Sequence, residues 1–457
     1  MASSSGRGQW SGKLGFILAA SGSAIGLGNI WRFPYSAGEG GGGAFVVIYL
    51  GFVVLIGIPV MLAELSIGRT TERNPVGAFK ALVPSRLWPM VGGLGVLTGF
   101  GILAFYSVIA GWTIGYLFKA LTGGLSVATD AASSKLLFTE LVSDPLLAIL
   151  MTAVFLVLTI LVVRGGVSKG IERVTKILMP LLLVILVILA IRSISLPNGT
   201  EGLVYLFNPD FSKLTFGVVM SALGQALFSL SLGMGAMITY GSYFPKGQNL
   251  WQAGILVALF DTFIAILAGL IIFPALFYAG VDPASGPGLV FVVLPTIFNA
   301  MPAGNLFAIA FFFLLGIAAL TSTISLLEVV VAYFVDERKW SREKAAWTTG
   351  GTCLLLAIPS ALANGAVDFL GPNGLFGTWD FLTLNNNIWG NYSLSIGAIL
   401  ICVFAGWVWG VPKLLASLEE GGFPLPASGL LAFLVKVVCP LAILIVLLFI
   451  IITGTYF

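Results

Sequence analysis

Eleven stretches of this chain each hold about 20 or more mostly apolar residues, and nothing else in it restricts the fold as strongly. They run near 13–37, 42–68, 87–122, 145–163, 174–192, 214–243, 249–279, 303–335, 343–363, 376–410 and 427–452. A helix of about 20 apolar residues crosses the hydrocarbon of a bilayer. Water is absent there, so backbone N–H and C=O groups must be paired within the protein. The expectation is an all-α polytopic membrane protein. A further apolar stretch, 288–301, is too short to span and reads as a re-entrant or capping helix.

Composition narrows the function. Only 9% of the 457 residues are charged, against about 25% in soluble domains, and a net charge of +3 gives no reason to invoke nucleic acid. Histidine is absent, which removes imidazole metal sites and histidine proton relays. Cys353, Cys402 and Cys439 stand singly in apolar runs, as small core residues do, and suggest no disulfide scaffold. The first apolar run lacks a convincing cleavage site and reads as a retained helix. With the N-terminus cytoplasmic, about sixteen of the 22 Lys and Arg residues fall on the inner side. The expected location is therefore the cell's inner (plasma) membrane with that orientation.

The first span is not an ordinary membrane helix. Ser21-Gly22-Ser23-Ala24-Ile25-Gly26-Leu27-Gly28-Asn29-Ile30-Trp31-Arg32-Phe33-Pro34 places three glycines within seven residues, beside an asparagine and an arginine. Each glycine weakens a helix by about 1 kcal/mol relative to alanine. Opening the helix frees peptide groups that hydrocarbon cannot satisfy. Close packing of two helices is the competing reading of such small residues. Asn29 and Arg32 favour a binding site, because polar groups are costly to bury without a use.

A counterpart occurs five spans later, where Gln225-Ala226-Leu227-Phe228-Ser229-Leu230-Ser231-Leu232-Gly233-Met234-Gly235 combines serines and glycines. Interrupted segments at matching positions of two halves point to the central site of an inverted-repeat transporter. The expected repeats are 13–192 and 214–410, a 5+5 core with discontinuous helices one and six, followed by an extra helix at 427–452. Asp261 in the seventh span and Thr321-Ser322-Thr323 in the eighth bring further oxygens to the same depth. Hydroxyl, amide, carbonyl and carboxylate oxygens suit hard alkali or alkaline-earth ions. No nucleophile–base pair, metal cluster or phosphate loop suggests an enzyme.

These residues fall within longer motifs: GSAIGLGNIWRFP, GGGAF, GIPVMLAELSIGR, RGGVSKGIERVTKILMP, SLSLGMGAMITYGSY and AALTSTIS. Along essentially its whole length the chain resembles the neurotransmitter:sodium symporters, particularly their bacterial amino-acid branch. That resemblance implies two sodium sites. The first takes Ala24, Asn29, Ser229 and Asp261, completed by the substrate carboxylate. The second takes carbonyls of Gly22, Ile25 and Ala318 with the hydroxyls of Thr321 and Ser322. Relatives commonly carry asparagine at the position of Asp261, and many need chloride nearby. A resident carboxylate supplies that charge, so chloride independence is expected.

The resemblance also places a substrate between the two breaks. Its carboxylate meets the N–H groups of Leu27 and Gly28 and the hydroxyl of Tyr106. Its ammonium meets carbonyls of Ala24, Phe228 and Ser229 and the hydroxyl of Ser231. The side-chain pocket comprises Ser23, Ile102, Tyr106, Phe228, Met234, Ser322 and Leu326, without a charged residue. Amine-carrying relatives have aspartate where this chain has Gly26, so neutral hydrophobic L-amino acids are expected, aromatic ones among them. An outer gate is implied in which Arg32 pairs through water with Asp380 above a lid of Tyr106 and Phe228. The inner gate joins Arg7 to Asp336, with Trp10, Ser242 and Tyr243 alongside, and Glu64 braces the opened first helix. The expected partners are the amino acid, Na+ and the lipid bilayer, with no obligate protein partner. The rival within this architecture is a proton- or sodium-coupled carrier of another small solute. A channel would call for a continuous polar stripe, which the spans lack.

Overall fold

Peptide groups in the apolar runs find their partners inside their own segments, and the outcome is a bundle of helices. The computed structural model describes residues 8–284 and 286–454, and every regular element among them is helical. Nine helices there are long and apolar enough to cross a membrane: Gly43–Thr71, Trp88–Leu121, Pro145–Val163, Val167–Ile194, Leu250–Ala279, Gly304–Arg338, Arg342–Leu362, Phe381–Val408 and Ser428–Thr453. A tenth crossing is broken, with Lys13–Ala24 and Gly28–Glu39 meeting at 51°. The short helices Phe216–Ser229 and Ala236–Gly241 occupy the sixth expected span. Short polar side chains set several helix starts. Asp144 accepts from Leu147 N, Thr215 from Val218 N and Asn249 from Gln252 N.

One expectation is corrected in outline. The fifth span begins at Val167, ahead of the expected 174, because a π-helical turn, Val167–Glu172, carries the helix back to Gly166. The stretch 288–301 does not span, in keeping with its length: Val293–Ala300 is a short helix burying Leu294, Ile297 and Phe298. Asn299 Nδ2 pins it by donating to the carbonyls of Leu125 and Ala128, at 2.7 and 2.9 Å. The connecting helices Pro75–Leu82, Ala131–Ser143, Gly199–Phe207 and Val411–Leu418 carry no long apolar run and escaped the sequence pattern.

The two broken helices lie at the centre. Lys13–Ala24 packs against Leu250–Ala279, Gly304–Arg338 and Val167–Ile194, and Gly15 to Ala24 are buried apart from Leu18. The outer helices instead expose leucine, isoleucine and valine on one side, as at Leu150, Ile188, Leu355 and Ile452. Faces of that kind suit lipid.

The second break needs glycine. Gly233 and Gly235 adopt φ of 79° and 75°, the left-handed region that L side chains avoid. A Cβ on Gly233 would also collide with the Leu394 carbonyl. Its freed N–H donates to Glu64 Oε1 at 2.7 Å. Glu64 therefore braces the sixth helix, not the first as expected, because its helix Gly43–Thr71 packs along Ala236–Gly241. Replacing Glu64 with alanine leaves a buried N–H unpaired, at a cost of about 1–3 kcal/mol. The midpoint of thermal unfolding in detergent should fall by a few degrees, and an unchanged midpoint would refute the brace.

Candidate functional site

The first helix stops pairing at Ile25, whose N–H still reaches Ser21 O at 2.7 Å. The next N–H groups leave the helix: Gly26 N donates to Asn29 Oδ1 at 3.0 Å, and Leu27 N to Tyr106 Oη at 2.8 Å. The carbonyls released on the other side meet hydroxyls. Ser23 O accepts from Ser231 Oγ at 3.0 Å and from Ser322 Oγ at 3.3 Å. Ile25 O accepts from Thr321 Oγ1 at 3.5 Å and from Ser322 Oγ at 3.4 Å. Polar groups from the first, third, sixth and eighth spans thus converge where an intact helix would have offered none.

On one flank of the break, three residues expected together are together. Asn29 Nδ2 lies 3.0 Å from Ser229 Oγ and 2.7 Å from Asp261 Oδ1. Ser229 Oγ donates to Asp261 Oδ2 at 2.8 Å. Asp261 is wholly buried. Tyr49 Oη also approaches its Oδ2, at 3.4 Å, a contact the sequence reading did not name. A tyrosine closing an apolar run directly after GGGAF was the available signal. Gln225, also missed, donates from Nε2 to Gly28 O at 2.7 Å and so holds the reopened first helix against the sixth.

On the opposite flank, Gly22, Ile25, Ala318, Thr321 and Ser322 are gathered. Thr321 Oγ1 is 3.0 Å from Ala318 O, and a Cβ on Gly22 would stand 3.2 Å from Thr321 Cβ. That glycine is what lets the two helices approach.

Between these flanks lies a cavity of ≈20 Å³, about the room one water needs. Ser23, Ala24, Gly28, Ile102, Tyr106, Phe228, Ser231, Met234, Ser322 and Leu326 line it, as expected, and Gly26 and Ser325 join them. Leu27 and Ser229 do not: Leu27 faces the larger outer cavity, and Ser229 turns its hydroxyl to Asp261. No wall residue is charged. The outer cavity holds ≈540 Å³ and shares Tyr106 and Phe228 with the inner one, so these two rings separate them. The Arg32 guanidinium lies 4.5 Å from the centre of the Phe228 ring, within cation–π range.

Asp380, expected to meet Arg32 through water, also serves a local role. Asp380 caps the helix that starts at Phe381, accepting from Thr383 N at 2.9 Å and Thr383 Oγ1 at 2.7 Å. It lines a neighbouring hollow, and no ion pair joins it to Arg32 among the described residues. Helix capping fixes the carboxylate locally, and Thr383, Asn386 and Asn387 take the place facing the cavity that contains Arg32.

Where the first helix begins, Trp10 is buried: its indole donates to Tyr240 O at 3.0 Å and its backbone N–H to Tyr243 O at 3.1 Å. Ser242 Oγ turns back to Thr239 O at 2.6 Å. Asp336 Oδ2 accepts from Asn74 N at 2.9 Å. Arg7, the expected partner of Asp336, lies outside the described residues. The structure adds a network that the sequence reading missed. Tyr243 Oη donates to Glu328 Oε1 at 2.7 Å, the buried Glu328 pairs with Arg342, and Arg342 Nε donates to Val163 O at 2.8 Å. It ties together four spans at the end of the bundle where the first helix begins.

The chain matches the model of the sodium:neurotransmitter symporter family over residues 7–136 and 139–456. It is 40% identical over 441 residues to the uncharacterized sodium-dependent transporter YhdH of Bacillus subtilis (strain 168), covering 96% of this chain and 97% of that one. An uncharacterized sodium-dependent transporter of Haemophilus influenzae is 37% identical over 412 residues, 87% of this chain and 89% of that one. Among solved structures, MhsT in complex with L-phenylalanine superposes with a TM-score of 0.88. It is 48% identical, over 97% of this chain and 99% of that chain.

Proposed function

Because the chain belongs to the sodium:neurotransmitter symporter family, we propose that it imports neutral hydrophobic L-amino acids, aromatic ones among them, coupled to sodium. The observation that carries this reading is the charge-free cavity between the two helix breaks, with Asp261, Asn29 and Ser229 on one flank and Thr321 and Ser322 on the other. Sodium dependence is a property of the family. Its assignment to two sites is ours: Ala24, Asn29, Ser229, Asp261 and the substrate carboxylate at one, and Gly22, Ile25, Ala318, Thr321 and Ser322 at the other.

The N–H of Gly28, and that of Leu27 once it leaves Tyr106 Oη, suit a carboxylate, as the N-terminal end of a helix suits an anion. Tyr106, already bonded to Leu27 N, can donate its own proton to the same carboxylate. Carbonyls of Ala24, Phe228 and Ser229 with Ser231 Oγ suit the ammonium. Gly26 leaves no acidic side chain beside it, so a second carboxylate, joining Asp261 at the first sodium site, arrives with the ligand. That requirement favours an amino acid over a simple amine. L-Phenylalanine in the structure of MhsT supports an aromatic substrate.

Two barriers support a reading by alternating access. Tyr106 and Phe228 separate the site from the outer cavity, and Trp10 with the Tyr243–Glu328–Arg342 network closes the inner end. We read the first repeat as 13–192 and the second as 214–410, in an inner membrane with the N-terminus cytoplasmic. One charge moving through 100 mV gains about 2.3 kcal/mol. Two sodium ions with a zwitterion would gain about 4.6 kcal/mol, on the order of a thousandfold accumulation.

The test is uptake of labelled L-phenylalanine into proteoliposomes with sodium outside, challenged in turn by each of the twenty amino acids. Sodium-dependent uptake blocked by the hydrophobic and aromatic residues but not by the charged ones is expected. Uptake indifferent to sodium, or blocked best by a charged amino acid, would refute the proposal.

A further inference from the structure

Lys436 is a cation placed in an apolar surface. It lies eight residues beyond the start of the last span, Ser428–Thr453, and is exposed, as are Leu430, Phe433 and Leu441 around it. Those eight residues correspond to about 12 Å of helix. The span has 26 residues, about 39 Å against a hydrocarbon layer of about 30 Å. Centred in the bilayer, it overhangs by about 4–5 Å at each end, which puts the Lys436 backbone about 7–8 Å inside. Helix side chains lean toward the N-terminus, here the nearer membrane surface. The four-carbon stem of lysine can therefore carry its ammonium back to the headgroups.

The neighbouring helix is shaped to receive that ammonium at headgroup depth. Trp407 is the penultimate residue of the span Phe381–Val408 and is 63% exposed. Its indole Nε1 donates to Lys436 O at 3.0 Å, and Lys436 Nζ lies 4.5 Å from the centre of its ring. Gly406 lets the backbones meet, since a Cβ there would stand 3.0 Å from Lys436 Cα. Both helices are locally widened into π turns, Phe404–Val408 and Leu434–Val438, and the two turns pack together. Among the described residues no carboxylate pairs with Lys436.

An exposed ammonium on a lipid-facing surface, held by an aromatic ring and lacking an acidic partner, is complementary to a phosphate diester. We propose that Lys436 and Trp407 form a binding site for the phosphate headgroup of an anionic phospholipid, at the seam between the last two spans. The site lies on the membrane face that carries Arg69, Lys80 and Lys246, where Arg69 reaches the Ser417 carbonyl of the helix preceding the last span. By the distribution of basic residues that face is the cytoplasmic one, where anionic lipids concentrate. Depth and lipid exposure exclude a soluble phosphate as the natural occupant.

The experiment exposes the full-length protein to equimolar phosphatidylglycerol and phosphatidylcholine in mixed micelles. Retained lipid is then read by native mass spectrometry for the wild type, K436R and K436Q. Wild type and K436R should retain phosphatidylglycerol in preference to phosphatidylcholine, and K436Q should show that preference reduced about fivefold, the scale of one basic residue. Equal retention of the two lipids by the wild type would overturn the proposal. So would a K436Q preference matching the wild type, or a K436R loss as large as that of K436Q. Sodium-driven uptake by K436Q in phosphatidylcholine vesicles, expected to equal the wild type, separates a lost lipid site from a lost fold.

Discussion

Exchanging Asp261 for asparagine should lower sodium-driven uptake by about a hundredfold, whereas removing chloride from the wild type should change it little. The first effect follows from burial. Asp261 is wholly buried and takes hydrogen bonds from Asn29 Nδ2, Ser229 Oγ and Tyr49 Oη. On the proposed assignment, a sodium ion among these oxygens would face one full negative charge from the protein and another from the substrate. Taking away one member of a buried charge pair costs about 3–5 kcal/mol, which is roughly two to four decades in affinity, and the lower end sets the expected loss. Asparagine also turns an NH2 toward donors that need an acceptor. The measurement is initial uptake against sodium concentration, with chloride present or replaced by gluconate. A D261N protein with wild-type sodium dependence would remove Asp261 from the ion site. Strict chloride dependence of the wild type would show that its carboxylate does not supply the missing charge.

The second large effect is expected at Gly26. A methyl group there would collide with Ser322 Oγ and stand 2.6 Å from Tyr106 Oη. Both hydroxyls belong to buried residues on long helices, Trp88–Leu121 and Gly304–Arg338, so neither can withdraw without disturbing the cavity wall. Moving Tyr106 would break its bond to Leu27 N, and moving Ser322 would release the carbonyls of Ser23 and Ile25. Overpacking of this kind costs about 1–3 kcal/mol, and here it falls on the groups assigned to bind substrate and sodium together. Gly26→Ala should therefore reduce kcat/KM for uptake by about a hundredfold, the scale of about 3 kcal/mol. The protein should still purify as a monodisperse species, since the change lies inside the cavity and away from lipid. Uptake within twofold of the wild type would mean that Gly26 does not face the substrate.

The residues that make the site lie far apart along the chain. Asn29 and Ser229 are separated by 200 positions, and Glu64 and Gly233 by 169. That separation divides what could be read locally from what could not. Where a helix opens is a local question, decided by glycines and by i to i+4 bonds. The segments at Gly26 and Gly233 were therefore legible, together with the number and rough limits of the spans. The residues around the cavity were legible too, because long motifs carried them across from a known family, and ten of the expected residues line it.

Partner choice is different, since it depends on which helices touch. Glu64 sits in the second span and reads as a brace for the first, yet packing along Ala236–Gly241 gives it Gly233 instead. Asp380 reads as the water-bridged partner of Arg32, and its place before Phe381 gives it a helix-capping role that the sequence pattern did not show. Glu328 and Arg342 show no pattern that would pair them, and only the packing of the helix that starts at Arg342 against Gly304–Arg338 does so. Lys436 is one more basic residue in the sequence, and its meaning comes from membrane depth and from Trp407 on another helix. The sequence by itself determined that the chain crosses a membrane as helices and where two of them must break, because water-free surroundings and glycine act residue by residue. Only the tertiary structure decided which freed N–H meets which oxygen, because hydrogen bonds form over about 3 Å and only packing brings distant segments that close.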